Sequence, residues 1–114
     1  MADVETQVHL ARLVDGGWRG LEFAPFREGV EICWLRQADP SAALLRYAPG
    51  ASVPRHLHTG LETIVVLDGS QSDENGTYER GALVLNPKGS SHSVWSDKGC
   101  VVLITWERPV EFLE

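Results

Sequence analysis

The sequence predicts an all-β protein, and three observations lead to this fold class. From Glu22 onward, short apolar runs are rich in β-branched and aromatic side chains, which strands favour. Between the runs lie segments containing Gly, Pro, Asn or Asp, residues that let the chain reverse. No window carries an apolar repeat of 3.6 residues over a helix-sized length. Many short strands without intervening helices indicate an antiparallel sandwich or barrel.

The elements are expected in the following order. Residues 1–21 form an N-terminal arm in which residues 6–14 are compatible with one short strand, and residues 22–114 form the single domain. A hairpin is expected at Asn75-Gly76, with Asp73 and Glu74 at its exposed tip. The remaining strands are predicted at VEICWLR (30–36), AALLRYA (42–48), ETIVVLDGS (62–70), GALVLNP (81–87), SHSVWS (91–96) and CVVLITWE (100–107).

Composition and charge exclude several classes of protein. Sixteen acidic and ten basic side chains give a formal charge of −6, and no basic cluster opposes it, so nucleic acid and anionic lipid are not expected partners. The apolar runs are too short to span a bilayer, and the N-terminus lacks the pattern of a signal peptide. Cys33 and Cys100 lie beside large apolar residues and are interpreted as reduced core thiols of a cytoplasmic protein rather than as a redox pair.

Two histidines and a glutamate lie close together in the stretch GASVPRHLHTGLETIVVLDG, residues 50–69. Residues two apart on a strand point to the same side, so His56 and His58 project together, and Glu62 returns to that side if the strand continues. His92 arrives from a separate strand. Imidazoles and a carboxylate without thiolate are typical ligands of a divalent first-row metal. The pair His56-x-His58 alone would equally suit exposed loop histidines beside Pro54.

The spacing of these residues resembles the two motifs of the cupins. The first motif is matched by Gly50, His56-x-His58, Glu62 and Gly69. The second is matched by Gly81, Pro87-x-Gly89 and His92, and it departs from the family at Ser96, where cupins usually have an Asn that is not a metal ligand. The resemblance covers roughly residues 22–107 and implies an antiparallel β-barrel of the double-stranded β-helix, or jelly-roll, type, so that residues 22–114 form a cupin domain. It also implies four metal ligands: His56, His58, Glu62 and His92.

Several phrases, among them PFREGVEICWL and NPKGSSH, are similar to the ChrR-like, or anti-sigma-factor-type, subgroup of cupins. Some members of that subgroup are the C-terminal half of zinc-dependent anti-sigma factors. Others are similar to iron-dependent dioxygenases that cleave carbon–carbon bonds in diketones or hydroxyaryl ketones. The regulators grip the sigma factor with a separate helical N-terminal domain that holds its own zinc. Residues 1–21 contain no cysteine, so sigma-factor binding is not expected to carry over.

Two functions stay open at this point. One is a non-haem-iron dioxygenase acting on a small oxygen-chelating substrate, and the other is a non-catalytic zinc cupin that senses a ligand. A sugar-type isomerase or epimerase is a weaker third reading, because a fold does not determine a function. The cofactor is expected to be one divalent transition metal, with Fe or Zn ahead of Mn or Ni, and the residues do not choose among them. A homodimer is expected from the resemblance, with the arm pairing onto an exposed sheet edge.

The sequence leaves the catalytic and substrate-binding residues unassigned. His9 is interpreted as a solvated arm residue, and Arg55 as a surface arginine that covers apolar area. Ser90 and Ser91 are interpreted as turn residues ahead of His92. Aromatic residues on strands more often belong to a core than to a binding pocket. The aromatic candidates for a pocket wall are Trp34, Tyr47, Trp95 and Trp106.

Overall fold

The computed structural model describes residues 4–113, and within that range the protein is built almost entirely of antiparallel strands. Two short 3-10 helices, Leu13–Asp15 and Gly17–Gly20, precede the strands. In this part of the chain, no helix is long and apolar enough to cross a membrane. The strands are β1 (Ala24–Arg27), β2 (Val30–Arg36), β3 (Ser41–Tyr47), β4 (Ser52–Leu57), β5 (Glu62–Asp73), β6 (Gly76–Glu79), β7 (Leu83–Asn86), β8 (Ser91–Trp95), β9 (Cys100–Trp106) and β10 (Glu111–Phe112).

The strands form one sheet in the order β1-β2-β3-β9-β5-β8-β4-β10, with β6 and β7 also beside β5. All of these pairings are antiparallel. The first half of β5 pairs with β9 and β7, whereas its second half pairs with β6 and β8. This long strand therefore belongs to both halves of the sheet, which curls around one interior. The expected all-β fold class is confirmed.

Strand β5 changes the face that it presents to the interior halfway along its length. Ile64 and Val66 belong to the interior apolar cluster, as period-two alternation requires. A register shift against β9 then falls between Val66 and Asp68. After this bulge the alternation changes phase, so that Gln71 and Asp73 are buried. The bulge is what brings a carboxylate at the far end of β5 towards the interior.

Gly69 follows this bulge directly and allows the backbone conformation that the chain adopts there. Its φ of 70° lies in the left-handed region that favours glycine. A Cβ at this position would lie 2.1 Å from the carbonyl oxygen of Gly99, a distance that no side chain could adopt. The last glycine of the first motif is therefore required by both backbone conformation and space.

Two apolar clusters lie on the two faces of the sheet. The outer one contains Trp18, Leu44, Leu67 and Val101, so the N-terminal 3-10 helix packs its tryptophan against the back of the sheet. No strand is present in residues 6–14, where the sequence is compatible with one, since those residues are mostly exposed and pair with no strand. The interior cluster consists of Val30, Ile32, Ala43, Leu45, Tyr47, Val53, Ile64, Val66, Val94, Cys100, Val102 and Ile104.

The predicted strands agree with the structure apart from small differences at their ends, but the hairpin differs in detail. Asp73 pairs with Gly76, so the two-residue loop is Glu74 and Asn75 rather than Asn75 and Gly76. The expectation of an exposed tip holds for Glu74 and is wrong for Asp73, which is only 6% exposed. Strand β6 completes the expected hairpin, and β4 contains His56, which was expected to lie on a strand. Strands β1 and β10 did not stand out in the sequence, because they are only four and two residues long.

The two cysteines are free and lie in different clusters, Cys33 against the outer one and Cys100 in the interior. Burial raises the pKa of the Cys100 thiol to about 11 and also raises that of Cys33. Both side chains are therefore thiols rather than thiolates at neutral pH. Both cysteines are unpaired and packed against apolar residues, as expected, although Cys33 is only partly buried.

Candidate metal centre

The structure brings together the four residues that the cupin motifs single out. His56, His58, Glu62 and His92 are all buried, and one potential ligand atom of each lies within 4.8 Å of those of the others. Two ligands on opposite sides of one transition-metal ion would lie roughly 4 Å apart. The cluster thus has the dimensions of a site that can hold a single ion.

A bulge in strand β4 positions the first histidine. Val53 pairs with Val94 and His56 pairs with His92, so Pro54 and Arg55 together oppose a single residue of β8. Pro54 suits this position because it has no N–H to contribute to a ladder. Across the ladder, the rings of His56 and His92 approach to a centroid distance of 4.7 Å. Pairing of β4 with β8 therefore joins the two motifs directly.

His58 lies just beyond β4 and is held by the turn that precedes His92. Its backbone N–H donates to the Ser90 carbonyl at 2.8 Å, and the Gly89 N–H donates to the His58 carbonyl at 2.8 Å. Gly89 has a φ of 93°, which explains the glycine of the second motif. Ser90 lies in the turn, as expected, and its side chain also contacts the ring of His58. Ser91, which was also expected in the turn, is instead the first residue of β8 and pairs with Leu57.

Glu62 opens β5 between two neighbouring strands, and both neighbours donate hydrogen bonds to its carboxylate. In the register of the sheet it lies opposite Asn86 of β7 and Trp106 of β9. The Asn86 amide donates to Oε1 at 3.0 Å, and the Trp106 indole N–H donates to Oε2 at 2.9 Å. The carboxylate is thus oriented before any ion is bound.

The three imidazoles each have an acceptor at Nδ1. His56 Nδ1 lies 2.8 Å from the Pro54 carbonyl, and His58 Nδ1 lies 3.1 Å from the Ser90 carbonyl. His92 Nδ1 lies 3.2 Å from the carboxylate of Asp73. Acceptors at Nδ1 favour the tautomer with the proton on that nitrogen, which leaves Nε2 with a free lone pair.

Within the part of the chain that the structure describes, the Nε2 atoms of two of these rings lack hydrogen-bond partners, which is what a metal site requires. Nε2 of His58 and Nε2 of His92 are buried and have no hydrogen-bond partner among residues 4–113. Nε2 of His58 lies 3.1 Å from Glu62 Oε1 without the alignment of a hydrogen bond, and Nε2 of His92 lies 3.7 Å from that oxygen, beyond hydrogen-bonding distance. Buried polar atoms are nearly always paired in folded proteins. Two unpaired nitrogens beside a carboxylate are what a transition-metal ion would satisfy.

The electrostatics of the cluster also favour ligand forms of the side chains. Burial lowers the pKa of His56 and outweighs the hydrogen bond to the Pro54 carbonyl and the charge of Glu62, which both raise it, so the ring is neutral at neutral pH. Burial raises the pKa of Glu62, but its contact with His58 and its electrostatic interaction with the neighbouring imidazoles outweigh this effect and leave the pKa below its usual value. Neutral imidazoles and an ionised carboxylate are the metal-binding forms.

Asp73 is a site residue that the sequence analysis missed, as it missed Asn86. One carboxylate oxygen contacts His92, and the other accepts the Tyr78 hydroxyl at 2.8 Å and the Asn75 N–H at 2.8 Å. Burial, followed by the hydrogen bond to Asp73, raises the pKa of Tyr78 to about 12, so the hydroxyl remains a donor. Simple alternation along β5 would have pointed Asp73 away from the site, and only the bulge reverses it.

Three further residues that the sequence analysis considered, Ser96, His9 and Arg55, lie outside the cluster. Ser96, at the position of the usual asparagine, is fully buried and donates to the Ser70 carbonyl at 2.5 Å, so it ties β8 to β5 and does not reach the cluster. His9 is exposed in the arm, as predicted. Arg55 is exposed and donates to the Ser91 hydroxyl at 3.0 Å.

Two apolar spaces adjoin the cluster. An inner cavity of about 80 Å³ reaches His56, Glu62 and His92, and its wall includes Tyr47 and Trp106. An outer groove of about 410 Å³ lies next to it. Of the aromatic candidates, Trp106 lines both spaces, Tyr47 lines only the inner one and Trp34 only the outer one, while Trp95 lines neither. Phe26 and Phe112, which the sequence did not single out, line both.

Comparison with known proteins agrees with this architecture. The model of the family described as ChrR cupin-like domain matches residues 18–111. The anti-sigma-E factor ChrR of Cereibacter sphaeroides is 31% identical over 104 residues, which are 89% of this chain and 46% of that protein. The chain thus spans less than half the length of this curated relative.

Solved structures with the same fold include an acetylacetone dioxygenase from Acinetobacter johnsonii, with a TM-score of 0.81 at 16% identity over 100% of this chain and 81% of that one. The complex of Rhodobacter sphaeroides SigE with the anti-sigma ChrR matches with a TM-score of 0.74 at 25% identity, over 84% of this chain and 55% of that one.

The family match begins at Trp18, which lies within the predicted arm, so the boundary at residue 22 stays a prediction. With its cupin fold and its cluster of His56, His58, Glu62 and His92, the chain belongs to the ChrR cupin-like domain family.

Proposed function

We propose that this protein binds one divalent transition-metal ion through His56, His58, Glu62 and His92, and that the ion and the inner cavity together bind a small oxygen-chelating ligand. The observation that carries this proposal is the pair of buried, unpartnered Nε2 atoms of His58 and His92 beside Glu62. Iron or zinc is the expected ion, and manganese or nickel would suit the same donors.

The residues of the chain prepare the site for such an ion. Asn86 and Trp106 hold the Glu62 carboxylate, while Pro54, Ser90 and Asp73 hold the three rings by Nδ1. A bound ion would supply Lewis acidity towards ligand oxygens, and iron would add redox chemistry with dioxygen. The apolar walls of the inner cavity exclude water from the ligand and strengthen each electrostatic contact within it.

The first candidate activity is that of a non-haem-iron dioxygenase acting on a diketone or aryl ketone. The acetylacetone dioxygenase of Acinetobacter johnsonii has the same fold along the whole of this chain. The role of this protein's side chains would be to position the substrate and to keep its surroundings dry. Oxygen consumption by iron-loaded protein with a diketone or aryl ketone, absent in the His58→Ala variant, is the expected result.

A second candidate is a non-catalytic zinc cupin that senses a ligand. The sequence relationship to an anti-sigma factor, at 31% identity, favours this reading. On this view the ligand would change the stability or surface of the domain without being consumed. A ligand-dependent rise in melting temperature without oxygen consumption would separate this function from the first.

Elemental analysis of untagged protein purified without chelators is the primary test. Near-stoichiometric iron would support the dioxygenase, and near-stoichiometric zinc would support the sensor. Absence of any first-row metal after reconstitution would refute the proposal. A cytoplasmic location and a homodimer remain predictions, and light scattering tests the latter.

A further inference from the structure

The outer groove adjoins the inner cavity and shares part of its wall. It has a volume of about 410 Å³, against about 80 Å³ for the inner space. Four side chains form walls of both: Phe26, Trp106, Val110 and Phe112. A molecule that binds the cluster from the inner cavity would therefore extend into the groove if it is too large for the inner space.

Aromatic rings line the path from the groove to the cluster. Phe26 and Trp34 meet edge to face at a centroid distance of 6.3 Å, and Trp34 lies 6.0 Å from Trp106. Trp106 donates its indole N–H to Glu62. On the other side, the ring of Phe112 lies 5.7 Å from the ring of His56. Each end of this aromatic lining thus contacts a residue of the candidate metal centre.

These rings are unusually exposed for their size. Phe26 is 43% exposed, Trp34 is 38% exposed and Phe112 is 49% exposed. Grouped apolar side chains at the surface commonly mark a place where something binds. Edge-to-face and offset stacking would give a flat ring a favourable position among them.

The charge of the groove restricts the ligand further. Asp39 is the one charged side chain among the residues that line it, and it is anionic. The nearby guanidinium of Arg27 lies 4.6 Å from the centre of the Phe112 ring, where it is engaged in a cation–π contact. The residues that line the groove thus offer apolar surface, one carboxylate and no cation to an incoming group.

The difference in volume between the two spaces predicts a ligand with two parts, a small head in the inner cavity and a larger tail in the outer groove. The inner space of about 80 Å³ holds only a few non-hydrogen atoms, far less than the several hundred Å³ typical of a whole ligand site. We propose that the groove of Phe26, Trp34, Trp106 and Phe112 binds the uncharged aromatic ring of a ligand whose oxygen-bearing head lies in the inner cavity. This inference rests on the proposed function, and it selects ring-bearing ligands over small aliphatic ones.

Two diketones with the same chelating head test the inference. Zinc-loaded protein, which is inert to dioxygen, is titrated calorimetrically with pentane-2,4-dione and with 1-phenylbutane-1,3-dione. The phenyl compound is expected to bind at least about tenfold more tightly, a difference of roughly 1.4 kcal/mol. Trp34→Ala should abolish this preference and leave the affinity for pentane-2,4-dione unchanged. Trp95→Ala, a change of the same size outside both spaces, should keep the preference.

Other outcomes would overturn the inference. Equal affinity of the wild type for the two diketones would refute it while leaving the metal site intact. A dimer that Trp34→Ala converts to a monomer in sedimentation, with no preference for the phenyl compound, would assign the groove to a second copy of the chain. If the protein retains no metal, the proposed function fails. The groove is then tested on metal-free protein, where the phenyl compound should quench tryptophan fluorescence in the wild type and in Trp95→Ala but not in Trp34→Ala.

Discussion

Two regions of the barrel interior are equally buried but are stabilised by different interactions. One is the candidate metal centre, called the polar end, and the other is the apolar cluster around Val66, called the apolar end. Strand β5 contributes to both: Glu62 is 2% exposed at the candidate metal centre, and Val66 is 0% exposed in the apolar cluster four residues later. The apolar side chain of Val66 packs in the interior cluster and needs no hydrogen-bond partner. Glu62 lies among histidines, two of which keep an unpaired Nε2.

This contrast indicates which interactions supply the folding free energy of the protein. Apolar burial stabilises the fold whether or not a ligand is present. Buried polar groups without partners destabilise it. The apolar end therefore supplies most of the folding free energy, whereas the unpaired nitrogens of the polar end are satisfied only when an ion binds. Substitutions at the two ends should respond differently to metal.

The largest effect on the free energy of unfolding is expected from Ile32→Ala in the apolar cluster. Ile32 is 4% exposed and lines neither of the two spaces next to the metal centre. Truncation of a buried isoleucine costs about 2–5 kcal/mol through lost burial and a residual cavity. Urea unfolding should detect the same loss with and without zinc. A loss that appears only with zinc would contradict the division between the two ends.

His58→Ala is expected to remove the stabilisation that metal confers. At a free zinc concentration one hundred times the dissociation constant, a bound ion stabilises the wild type by about 2.7 kcal/mol. The variant should gain nothing on addition of zinc and should retain no metal through dialysis. His9→Ala, at an exposed histidine, is the control and should behave like the wild type. Full metal content in His58→Ala would refute its assignment as a ligand.

Asp73→Asn should have a smaller, graded effect on metal affinity. The carboxylate holds His92 by Nδ1, and loss of such a partner typically weakens metal binding about 10–100-fold. Tyr78→Phe, which removes one hydrogen bond to Asp73, should weaken it less. Chelator competition measures these affinities, and the ligand-field spectrum of the cobalt-substituted protein should shift in Asp73→Asn. Unchanged affinity and spectrum would mean that His92 is held by the β4–β8 ladder alone.

Much of this architecture was readable from the sequence because it depends on local pattern. Alternation and turn residues predicted the long strands, and the motif spacing selected the four residues that the structure brings together. Asp73 could not be identified in this way. Its position depends on a bulge against β9, a feature of strand pairing that leaves no period in the sequence of β5 itself.

The outer groove could not be predicted from the sequence for a related reason. Phe26 and Phe112 lie in strands of four and two residues, too short to carry a recognisable alternation. The two residues are far apart in sequence and line the same groove only after the sheet has curled. Long-range pairing of this kind cannot be inferred from composition or spacing in one sequence.

The smallest expected effect is a pH dependence that originates at the polar end alone. Burial lowers the pKa of His56 below the ordinary value of 6.5, so the unfolded chain binds more protons than the folded metal-free protein as the pH falls through that value. Stability should therefore be fully present above pH 6.5 and decline below it, before the Glu62 carboxyl begins to titrate. The urea midpoint of metal-free protein should fall between pH 8 and pH 5.5, and His56→Gln should flatten this fall. Ile32→Ala should keep the same pH dependence as the wild type at a lower overall stability, because it leaves every titrating group in place. A midpoint that rises on acidification would mean that the imidazoles are stabilised in their charged form, which would contradict a site prepared for a metal ion.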